Sequence, residues 1–552
     1  MASQTIFGID LGTTNSCIAY VDEFGRAVVV PNSESDNTTP SVVFFETATN
    51  IVVGKEANNS AVAKPDSVVS MVKRHMGEDP PWSFSFGGTN YSAEEISAYI
   101  LKKVVGDAAL AVGHAITDVV ITCPAYFGMP EREATARAGQ IAGLNVLEII
   151  NEPTAAAIAY GIQDQQDQVV LVYDLGGGTF DITMIEIKNK SIRVIATGGD
   201  HHLGGHDWDA IIVNYLAQEW MNETGSSDNP LDSAETLQDL WLKAEGAKRS
   251  LSSREETRIT FGHAGTNGTV TLTRAKFDEL TMQLLERTIA YTKDTLDIAR
   301  QLGFAKFDQL LLVGGSTKML QVQQRLKSEF SVEPQVFDPD MSVAKGAAIY
   351  GQKLAIGERI KYELATQMGT TPDKIDLDSA PPDKLWQAEA KVAGETGRSV
   401  SDIRGIRSQT ITNVLSHSFG IIALADSQRE IISNIVRVNT PLPHSATERY
   451  STVDPGQSTV LIRIVQNEVM AGEVNDISQG KEIGNAVLEM PPGLPAGAPV
   501  EVTFEIDGQG RLHMTARELT NGRTIEATLQ TDQMSDAEAA AAQQRAERAR
   551  VS

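Results

Sequence analysis

The sequence predicts an α/β protein followed by a smaller antiparallel β-domain. Up to about residue 357, compact apolar runs that end in Gly- or Pro-bearing turns alternate with longer stretches of helical periodicity, the pattern of an α/β fold. The runs that we interpret as buried strands are Ile6–Asp10, Val119–Thr122, Val169–Asp174 and Leu310–Val313. From about residue 409 to 531 the apolar period switches to two. The length of 552 residues predicts three or four structural units.

The composition is that of an ordinary globular protein with a strong acidic excess. The chain carries 47 Lys and Arg against 72 Asp and Glu, a net charge of −25. This charge repels phosphate backbones and anionic lipids, so we expect neither nucleic acid nor a membrane as a partner. The two cysteines, Cys17 and Cys123, cannot form a disulfide framework, and no basic residue precedes Arg26, as a signal peptide would require. We therefore predict a cytoplasmic protein.

Two further segments flank the β-domain. Residues 358–408 mix helix-forming and charged residues with the pair Pro381–Pro382, which predicts an exposed, partly helical insertion or linker; a specific docking element is the alternative. Residues 532–552 begin with the capping-box pattern of Ser535 and Glu538 and continue as an Ala-rich helix. So short a helix is marginal unless it packs on another surface.

The β-domain is predicted from successive hairpins. Thr459–Val465 is strongly β-prone, and Val500–Ile506 alternates apolar with polar residues before a turn at residues 507–510. The chain then returns as Arg511–Arg517. Hairpins of this kind indicate an antiparallel, sandwich-like domain.

The most informative feature is a repeated Gly-rich motif that follows a buried strand. Asp10-Leu11-Gly12-Thr13-Thr14-Asn15 is echoed by Asp174-Leu175-Gly176-Gly177-Gly178-Thr179, and each copy leads into a second apolar strand. Glycine lets a turn present successive backbone N–H groups to an anion, and an aspartate can hold Mg²⁺ through its water shell. Two such hairpins are predicted to grip the phosphates of one nucleotide. The sequence contains neither a P-loop nor a dinucleotide-binding fingerprint.

These hairpins closely resemble the two phosphate motifs of the seventy-kilodalton heat-shock (DnaK-type) chaperones. Other stretches match in the family's order: Val72–Arg74, Val120–Phe127, Ile150–Ala157, Gly199–Gly205 and Leu312–Thr317. The resemblance covers almost all of residues 4–355 and resumes more weakly over 409–531. It implies an actin-like two-lobed ATPase domain (1–357), an insertion (358–408), a peptide-binding β-sandwich (409–531) and a short C-terminal helix (532–552).

The resemblance also implies the roles of an ATPase site. Lys73 would place its ammonium group on the γ-phosphate, while Glu152 and Asp181 would orient or deprotonate the attacking water. Asp10 and Asp174 would hold Mg²⁺ through waters. The residues implied to bind the nucleotide are Gly12, Thr13, Thr14, Asn15, Gly176, Gly177, Gly178, Thr179, Gly204, Glu245, Lys248, Arg249, Ser252, Gly314, Gly315, Ser316 and Asp340.

The adenosine end of this implied site lies on a predicted helix. Glu245, Lys248 or Arg249, and Ser252 are spaced by three or four residues and therefore share one helical face. An exposed helical charge run is the alternative interpretation. The resemblance places the Gly314–Ser316 turn on the opposite wall of the same pocket.

The β-domain resembles the family's peptide-binding sandwich, in which main-chain hydrogen bonds hold an extended peptide in a groove. By position, Leu424 and Val453 would form an arch over the peptide and Val460 its central pocket. A plain role in the β-core is the alternative for each. Family members often carry Met and Ala at the arch, so the bulkier pair indicates altered selectivity.

The segments that would connect ATP to peptide depart from the family pattern. The linker stretch Ser408–Asn413 lacks the family's leucines and aspartate, although the expected transmission pair of Pro124 and Arg132 is present. The family's helical lid is expected to be absent, because the sequence ends within the segment that resembles its first helix.

The resemblance implies an ATP-dependent chaperone: an ATPase that uses ATP and Mg²⁺ to control the binding of exposed hydrophobic peptide segments. A J-domain co-chaperone and a nucleotide exchange factor are the implied partners. Two alternatives stay open at this stage. The altered linker favours a holdase or scaffold that binds ATP without productive cycling, and the shared hairpins allow a small-molecule kinase of the same superfamily.

Overall fold

The computed structural model describes residues 5–163, 166–189, 191–425, 429–520, 522, 524–528 and 534–552. Over these ranges the chain forms two α/β lobes, a helical unit and a β-domain of two sheets. The predicted fold class, a two-lobed α/β unit followed by an antiparallel β-sandwich, is confirmed. The helices within the described ranges include none that is long and apolar enough to span a bilayer.

The first lobe brings the first Gly-rich hairpin to one edge of a central sheet. Its strands are β1 (Phe7–Asp10), β2 (Asn15–Val21), β3 (Ala27–Val29), β4 (Thr39–Pro40), β5 (Val43–Thr47), β6 (Asn50–Val53), β7 (Val68–Val69), β8 (Ser83–Phe86), β9 (Thr89–Ser92), β10 (Asp118–Cys123) and β11 (Asn145–Asn151). Its helices are α1 (Lys55–Ser60), α2 (Ala93–Val112), α3 (Met129–Ile141) and α4 (Glu152–Gln163), with 3₁₀ turns at Pro65–Ser67 and Val72–His75. β1 pairs antiparallel with β2 and parallel with β10, so the β1–β2 turn and the end of β10 share one edge.

The second lobe repeats this arrangement. Its strands are β12 (Gln168–Leu175), β13 (Phe180–Lys188), β14 (Ser191–Asp200), β15 (Glu256–His263), β16 (Thr266–Thr273), β17 (Gln309–Val313) and β18 (Gln335–Val336). Its helices are α5 (Gly205–Thr224), α6 (Ala234–Leu251), α7 (Arg274–Gln301), α8 (Leu320–Phe330) and α9 (Ser342–Met368), with 3₁₀ turns at Pro230–Asp232 and Gly315–Lys318. β12 pairs antiparallel with β13 and parallel with β17, as β1 does with β2 and β10. The sequence repeat is therefore a repeat of topology.

Helices α4 and α9 cross where the two lobes join. α9 packs on β1 and β2 of the first lobe, and α4 packs on β13 and β14 of the second. The crossing is tight: a β-carbon on Gly346 would overlap the carbonyl of Ala155, and one on Gly8 would overlap the backbone of Ala348. Glycine is needed at these positions because backbone approaches backbone.

The predicted insertion, residues 358–408, has a core of its own. It consists of the end of α9, a 3₁₀ turn at Pro372–Lys374, α10 (Pro382–Thr396) and α11 (Val400–Ser408). The buried hydrophobic residues that these helices share are Ile356, Ile360, Leu364, Ala365, Ile375, Ala388, Val392, Ala393 and Ile403. Within them Glu389, 1% exposed, accepts hydrogen bonds from Arg404 and Arg407. The segment is thus a small packed bundle rather than a solvated connector.

The β-domain consists of two antiparallel sheets with a shared core. Their strands are β20 (Ser418–Leu424), β21 (Glu430–Val436), β22 (His444–Ser451), β23 (Thr459–Asn467), β24 (Glu473–Val474), β25 (Gly480–Glu489), β26 (Pro499–Ile506), β27 (Leu512–Glu518) and β28 (Thr524–Thr528), with a 3₁₀ turn at Ile477–Gln479. One sheet has the order β24–β21–β20–β23–β25 and the other β22–β26–β27–β28. The predicted hairpin around residues 507–510 is the β26–β27 pair.

Both ends of the β-domain attach to the two α/β lobes. The linker contributes β19 (Ile411–Thr412), which pairs parallel with β14 of the second lobe. After the β-domain, α12 (Asp536–Arg548) packs on α2 and α3 of the first lobe, and β29 (Arg550–Val551) pairs parallel with β6. The predicted capping box of α12 is present, with Ser535 as N-cap. The boundary predicted at residues 531–532 lies outside the described residues.

Candidate functional site

The two Gly-rich hairpins face each other across the cleft between the lobes. A β-carbon on Gly177 would overlap the side chain of Thr14, and one on Gly178 would overlap that of Thr13. Glycine is therefore required by contact between the hairpins as well as by the turn itself. The structure brings together the two motifs that the sequence repeat predicted as phosphate-binding loops.

Lys73 and Glu152 form a buried ion pair between these hairpins. Lys73 lies in the 3₁₀ turn that follows Met71, whose backbone is left-handed (φ 60°). Its Nζ donates to Oε1 of Glu152, the first residue of α4, at 2.5 Å. The side chains are 4% and 11% exposed. A buried ammonium needs such a partner, so Glu152 stabilises the charge of Lys73 between the hairpins.

Three further buried carboxylates, Asp10, Asp174 and Asp181, lie near this pair, and Lys73 is the cation that offsets their charge. Burial, and next the charge of Glu152, raise the pKa of Asp10 to about 7 and that of Asp181 to about 7. The same two causes raise the pKa of Asp174 well above its usual range. Four acids facing one lysine suit a divalent cation, whose charge would favour their ionised forms. The described residues include no group of three Asp, Glu, His or Cys side chains placed to coordinate a metal directly.

Hydrogen bonds from the first lobe fix two of these carboxylates. The Thr122 hydroxyl at the end of β10 donates to Asp10 at 3.2 Å. The backbone N–H of Tyr126 donates to Asp181 at 3.0 Å, across the cleft. Sequence reasoning assigned Asp181 from the family motif but did not find this partner, since nothing in the local pattern links the two segments.

The loop after β17 borders the second hairpin as the resemblance implied. The Ser316 hydroxyl donates to the carbonyl of Gly176 at 2.9 Å, and a β-carbon on Gly314 would overlap Asp174 and the carbonyl of Leu175. Asp340 lies beside Gly315 and pairs with Lys318 at 2.5 Å. This loop is therefore continuous with the second Gly-rich hairpin.

The predicted adenosine residues of α6 divide into a buried and an exposed group. Lys248 is buried and donates to Asp209 at 2.6 Å and to the carbonyl of Gly205 at 2.7 Å. Arg249 pairs with Glu245 at 2.7 Å on the more exposed side of the helix. The Ser252 hydroxyl donates to the carbonyl of Lys248 at 3.3 Å. A β-carbon on Gly205 would meet both the Ser316 hydroxyl and the Lys248 ammonium, so Gly205 lies between α6 and the opposite wall.

The structure adds an aromatic contact beside the predicted adenosine face that sequence reasoning missed. The ring of His206, at the start of α5, stacks on Trp241 of α6 with centroids 4.2 Å apart. Burial, and then Arg74 and Lys248, lower the pKa of His206 to about 4. Trp241 precedes Glu245 by one helical turn, and this spacing was the signal that could have added it to the predicted face.

Comparison with known proteins identifies the family to which this site belongs. The Hsp70 protein family model matches residues 6–363 and 397–551. The chain belongs to the Hsp70 family. It is 37% identical over 569 aligned residues to the chaperone protein DnaK of two Halobacterium salinarum strains, R1 and NRC-1. The alignments span 100% of this chain and 80% of each relative.

Family membership establishes the general activity of this Hsp70 chain. It is an ATP-dependent chaperone and an ATPase that binds ATP, and it acts on unfolded peptides. The holdase and small-molecule kinase alternatives are not favoured by these comparisons. The gap in the family match, residues 364–396, falls within the helical insertion.

The β-domain of this Hsp70 chain docks on the lobes through an aromatic cluster. The rings of His201 and His417 are stacked with centroids 6.3 Å apart, and Tyr126 packs against both. The expected transmission residue Arg132 donates to the carbonyl of Phe127 at 3.1 Å and to Asn151. The β-domain therefore contacts the same segment of the first lobe whose Tyr126 N–H donates to Asp181.

The predicted peptide residues lie at one end of the β-domain. Leu424 and Val453 are 49% and 48% exposed, and Val460 is partly buried against the sandwich core. β20 pairs with β23 from Ser418 to Ile421, and the described residues beyond that point are not paired between these two strands. The two strands thus leave an open edge beside Leu424.

Proposed function

We propose that this Hsp70 chain hydrolyses ATP with Mg²⁺ between its two Gly-rich hairpins. The observation that carries the proposal is the Lys73–Glu152 pair among three buried carboxylates. Lys73 would contact the γ-phosphate, and Glu152 with Asp181 would orient the attacking water and accept its proton. Asp10 and Asp174 would hold the ion through waters. Bound Mg²⁺ would supply positive charge that offsets the charge of the phosphate oxygens.

The remaining nucleotide contacts follow from the walls of the cleft. Thr13, Thr14 and Thr179 would donate hydroxyl hydrogen bonds to the phosphates. The α6 face that carries Lys248, together with the Gly314–Ser316 loop, would enclose the adenosine. The contact of both with Gly205 supports a single continuous pocket.

The test is ATP turnover by a Lys73→Ala variant in the full-length protein with Mg²⁺. Removing a fixed positive charge from the phosphates should lower kcat by about a hundredfold or more. Lys327→Ala is the matched control, because Lys327 is exposed and pairs with Glu333 at the surface. Equal turnover by the wild-type protein and the Lys73→Ala variant would refute the assignment.

We further propose that extended hydrophobic peptides bind at the open edge between β20 and β23. Leu424 and Val453 would arch over the peptide, and Val460 would line its central pocket. An unpaired strand edge offers N–H and C=O groups to an added strand, which supports this mode of binding. Filling the pocket by Val460→Phe should weaken the binding of a fluorescent apolar heptapeptide at least tenfold. Val487→Phe, on an exposed position of β25, should not.

We propose that ATP binding and peptide binding are coupled through the docked linker. The proposed domain boundaries lie near residues 357, 408 and 531. We propose a cytoplasmic location, a J-domain co-chaperone and a nucleotide exchange factor as partners. Coupling predicts that the heptapeptide binds more weakly with ATP than with ADP. Equal affinities in the two states would instead indicate a holdase that binds ATP without productive cycling.

A further inference from the structure

Arg74 follows Lys73 in the 3₁₀ turn Val72–His75 but reaches across the cleft to the second lobe. Its Nε donates to the carbonyl of Gly178 at 2.9 Å. Its terminal nitrogens donate to both carboxylate oxygens of Asp207, at 3.3 and 2.5 Å. The side chain is 13% exposed. A planar guanidinium that makes three such bonds is held in one orientation.

The groups that Arg74 contacts belong to one hydrogen-bonded unit. The N–H of Gly205, the first residue of α5, donates to the carbonyl of Gly176 at 2.9 Å, and the N–H of His206 donates to that of Gly177 at 2.8 Å. Arg74 holds the third successive carbonyl of the hairpin. The carbonyl groups of all three glycines are therefore fixed by α5 and by Arg74.

This arrangement determines where the hairpin amides point. In a planar trans peptide the carbonyl and the following N–H point in opposite directions. Because Arg74 holds the carbonyl of Gly178, the N–H of Thr179 points away from Arg74. A charged donor on the carbonyl also polarises the peptide group and strengthens its N–H as a donor.

We propose that Arg74 is a positioning residue that links closure of the two lobes to the orientation of the Thr179 N–H, and thereby slows the release of phosphate-bearing nucleotides. The inference rests on the proposed nucleotide site. All three bonds of Arg74 cross from the first lobe to the second, so separation of the lobes breaks them together. Arg74 itself need not touch the nucleotide.

The experiment measures release of a fluorescent N-methylanthraniloyl-ADP from the full-length protein in Mg²⁺ by stopped flow. Arg74→Gln and Asp207→Asn should each speed release about ten- to hundredfold, because each removes charge-assisted hydrogen bonds. Asn at 207 keeps a side-chain oxygen for the N–H of Gly204, which Asp207 now accepts at 2.8 Å. The double variant should release ADP no faster than the faster single variant, since both changes break one interaction.

Two controls separate positioning from general damage. Arg26→Gln breaks an exposed pair with Asp22 and should leave release unchanged. Adenosine, which lacks phosphates, should bind the wild-type protein and the Arg74→Gln variant with affinities within threefold of each other. Release within twofold of wild type by Arg74→Gln, or equal losses for ADP and adenosine, would overturn the inference. Failure of the wild-type protein to bind ADP would instead refute the nucleotide site.

Discussion

Lowering the pH from 7.5 to 5.5 should weaken docking of the β-domain on the two lobes, because His201 and His417 are buried where the domains meet. Burial, and the positive charge of neighbouring groups, lower the pKa of His201 to about 4 and that of His417 to about 3. An exposed imidazole has a pKa near 6.5. As the pH falls, protons therefore bind first to the separated domains. The contribution of the two rings to docking stability is therefore complete above about pH 6.5, and it decreases steadily as the pH falls to about 4.

Most of the groups around the two rings also lower the pKa values of His201 and His417. The charged and titratable groups that face them are Arg132 of α3, Lys481 of β25, His202 and Asp200 at the end of β14, and Glu468 and Tyr126, which are hydrogen-bonded to each other. The two cations oppose a proton on His417. Asp200 favours a proton on His201, but its charge is already offset by its ion pair with Arg287.

The size of the effect follows from these pKa values. At pH 5.5, one unit below 6.5, protonation of an exposed imidazole favours the separated state about tenfold. A docked ring with a pKa of about 3 or 4 binds almost no proton at this pH, so the docked state gains almost nothing. That is about 1.4 kcal/mol for each ring. The two rings together shift the equilibrium about a hundredfold toward separated domains between pH 7.5 and 5.5.

Hydrogen exchange at the interface measures this shift. The N–H of Thr197 donates to the side chain of Asn439 across the contact at 2.9 Å, so its protection reports docking. After correction for intrinsic exchange rates, protection should fall about a hundredfold in the wild-type protein and about tenfold in a His417→Phe variant. Constant protection across this range, or the same pH dependence in both proteins, would refute the reasoning.

Three further predictions concern contacts that hold the segments together. Glu95→Gln removes the charge of a buried carboxylate that pairs with the half-exposed Arg545 and should weaken docking of α12 by about 2 kcal/mol; unchanged exchange protection over residues 536–551 would contradict this. Gly346→Ala should destabilise the ATPase lobes by about 3 kcal/mol in urea unfolding, because the added methyl group overlaps the carbonyl of Ala155; an unchanged midpoint argues against the close crossing. Glu389→Gln should lower protection of residues 382–408 about tenfold while ATP turnover stays normal, and lost turnover would show a wider role.

The phosphate hairpins could be predicted from sequence because their information is local. An apolar strand that ends in aspartate, followed by glycines and hydroxyls, specifies a tight turn within about ten residues. The pairing of Lys73 with Glu152 is different, since 79 residues separate them and neither position carries a distinctive local pattern. Family resemblance implied a role for each residue but not their pairing. Arg74 belongs to a matching motif, but its partner Asp207 depends on how the lobes close.

Burial explains the remaining differences between prediction and structure. Helical spacing predicted one face of α6 with Glu245, Lys248 or Arg249, and Ser252. It could not predict that Lys248 is buried, because its partner Asp209 lies on another helix. Likewise the capping box of Ser535 predicted where α12 begins. Its docking surface on α2 and α3 depends on small buried residues, Ala542 and Ala546, whose partners lie more than 400 residues away in the chain. Such contacts depend on how two distant surfaces fit together, which the local apolar periodicity of a sequence does not predict.

The linker shows why a missing motif need not mean a missing contact. β19 docks mainly through its backbone: Ile192 donates to the carbonyl of Thr410 at 2.8 Å, and Ile411 packs partly buried beside the central apolar cluster. Backbone pairing tolerates many side chains, so it does not require the family's leucines. The side-chain oxygen of Asn413, at the end of this linker, accepts a hydrogen bond from Thr154 at 3.2 Å. Thr154 lies two residues from Glu152, so the altered linker still reaches the helix turn that carries the proposed catalytic acid.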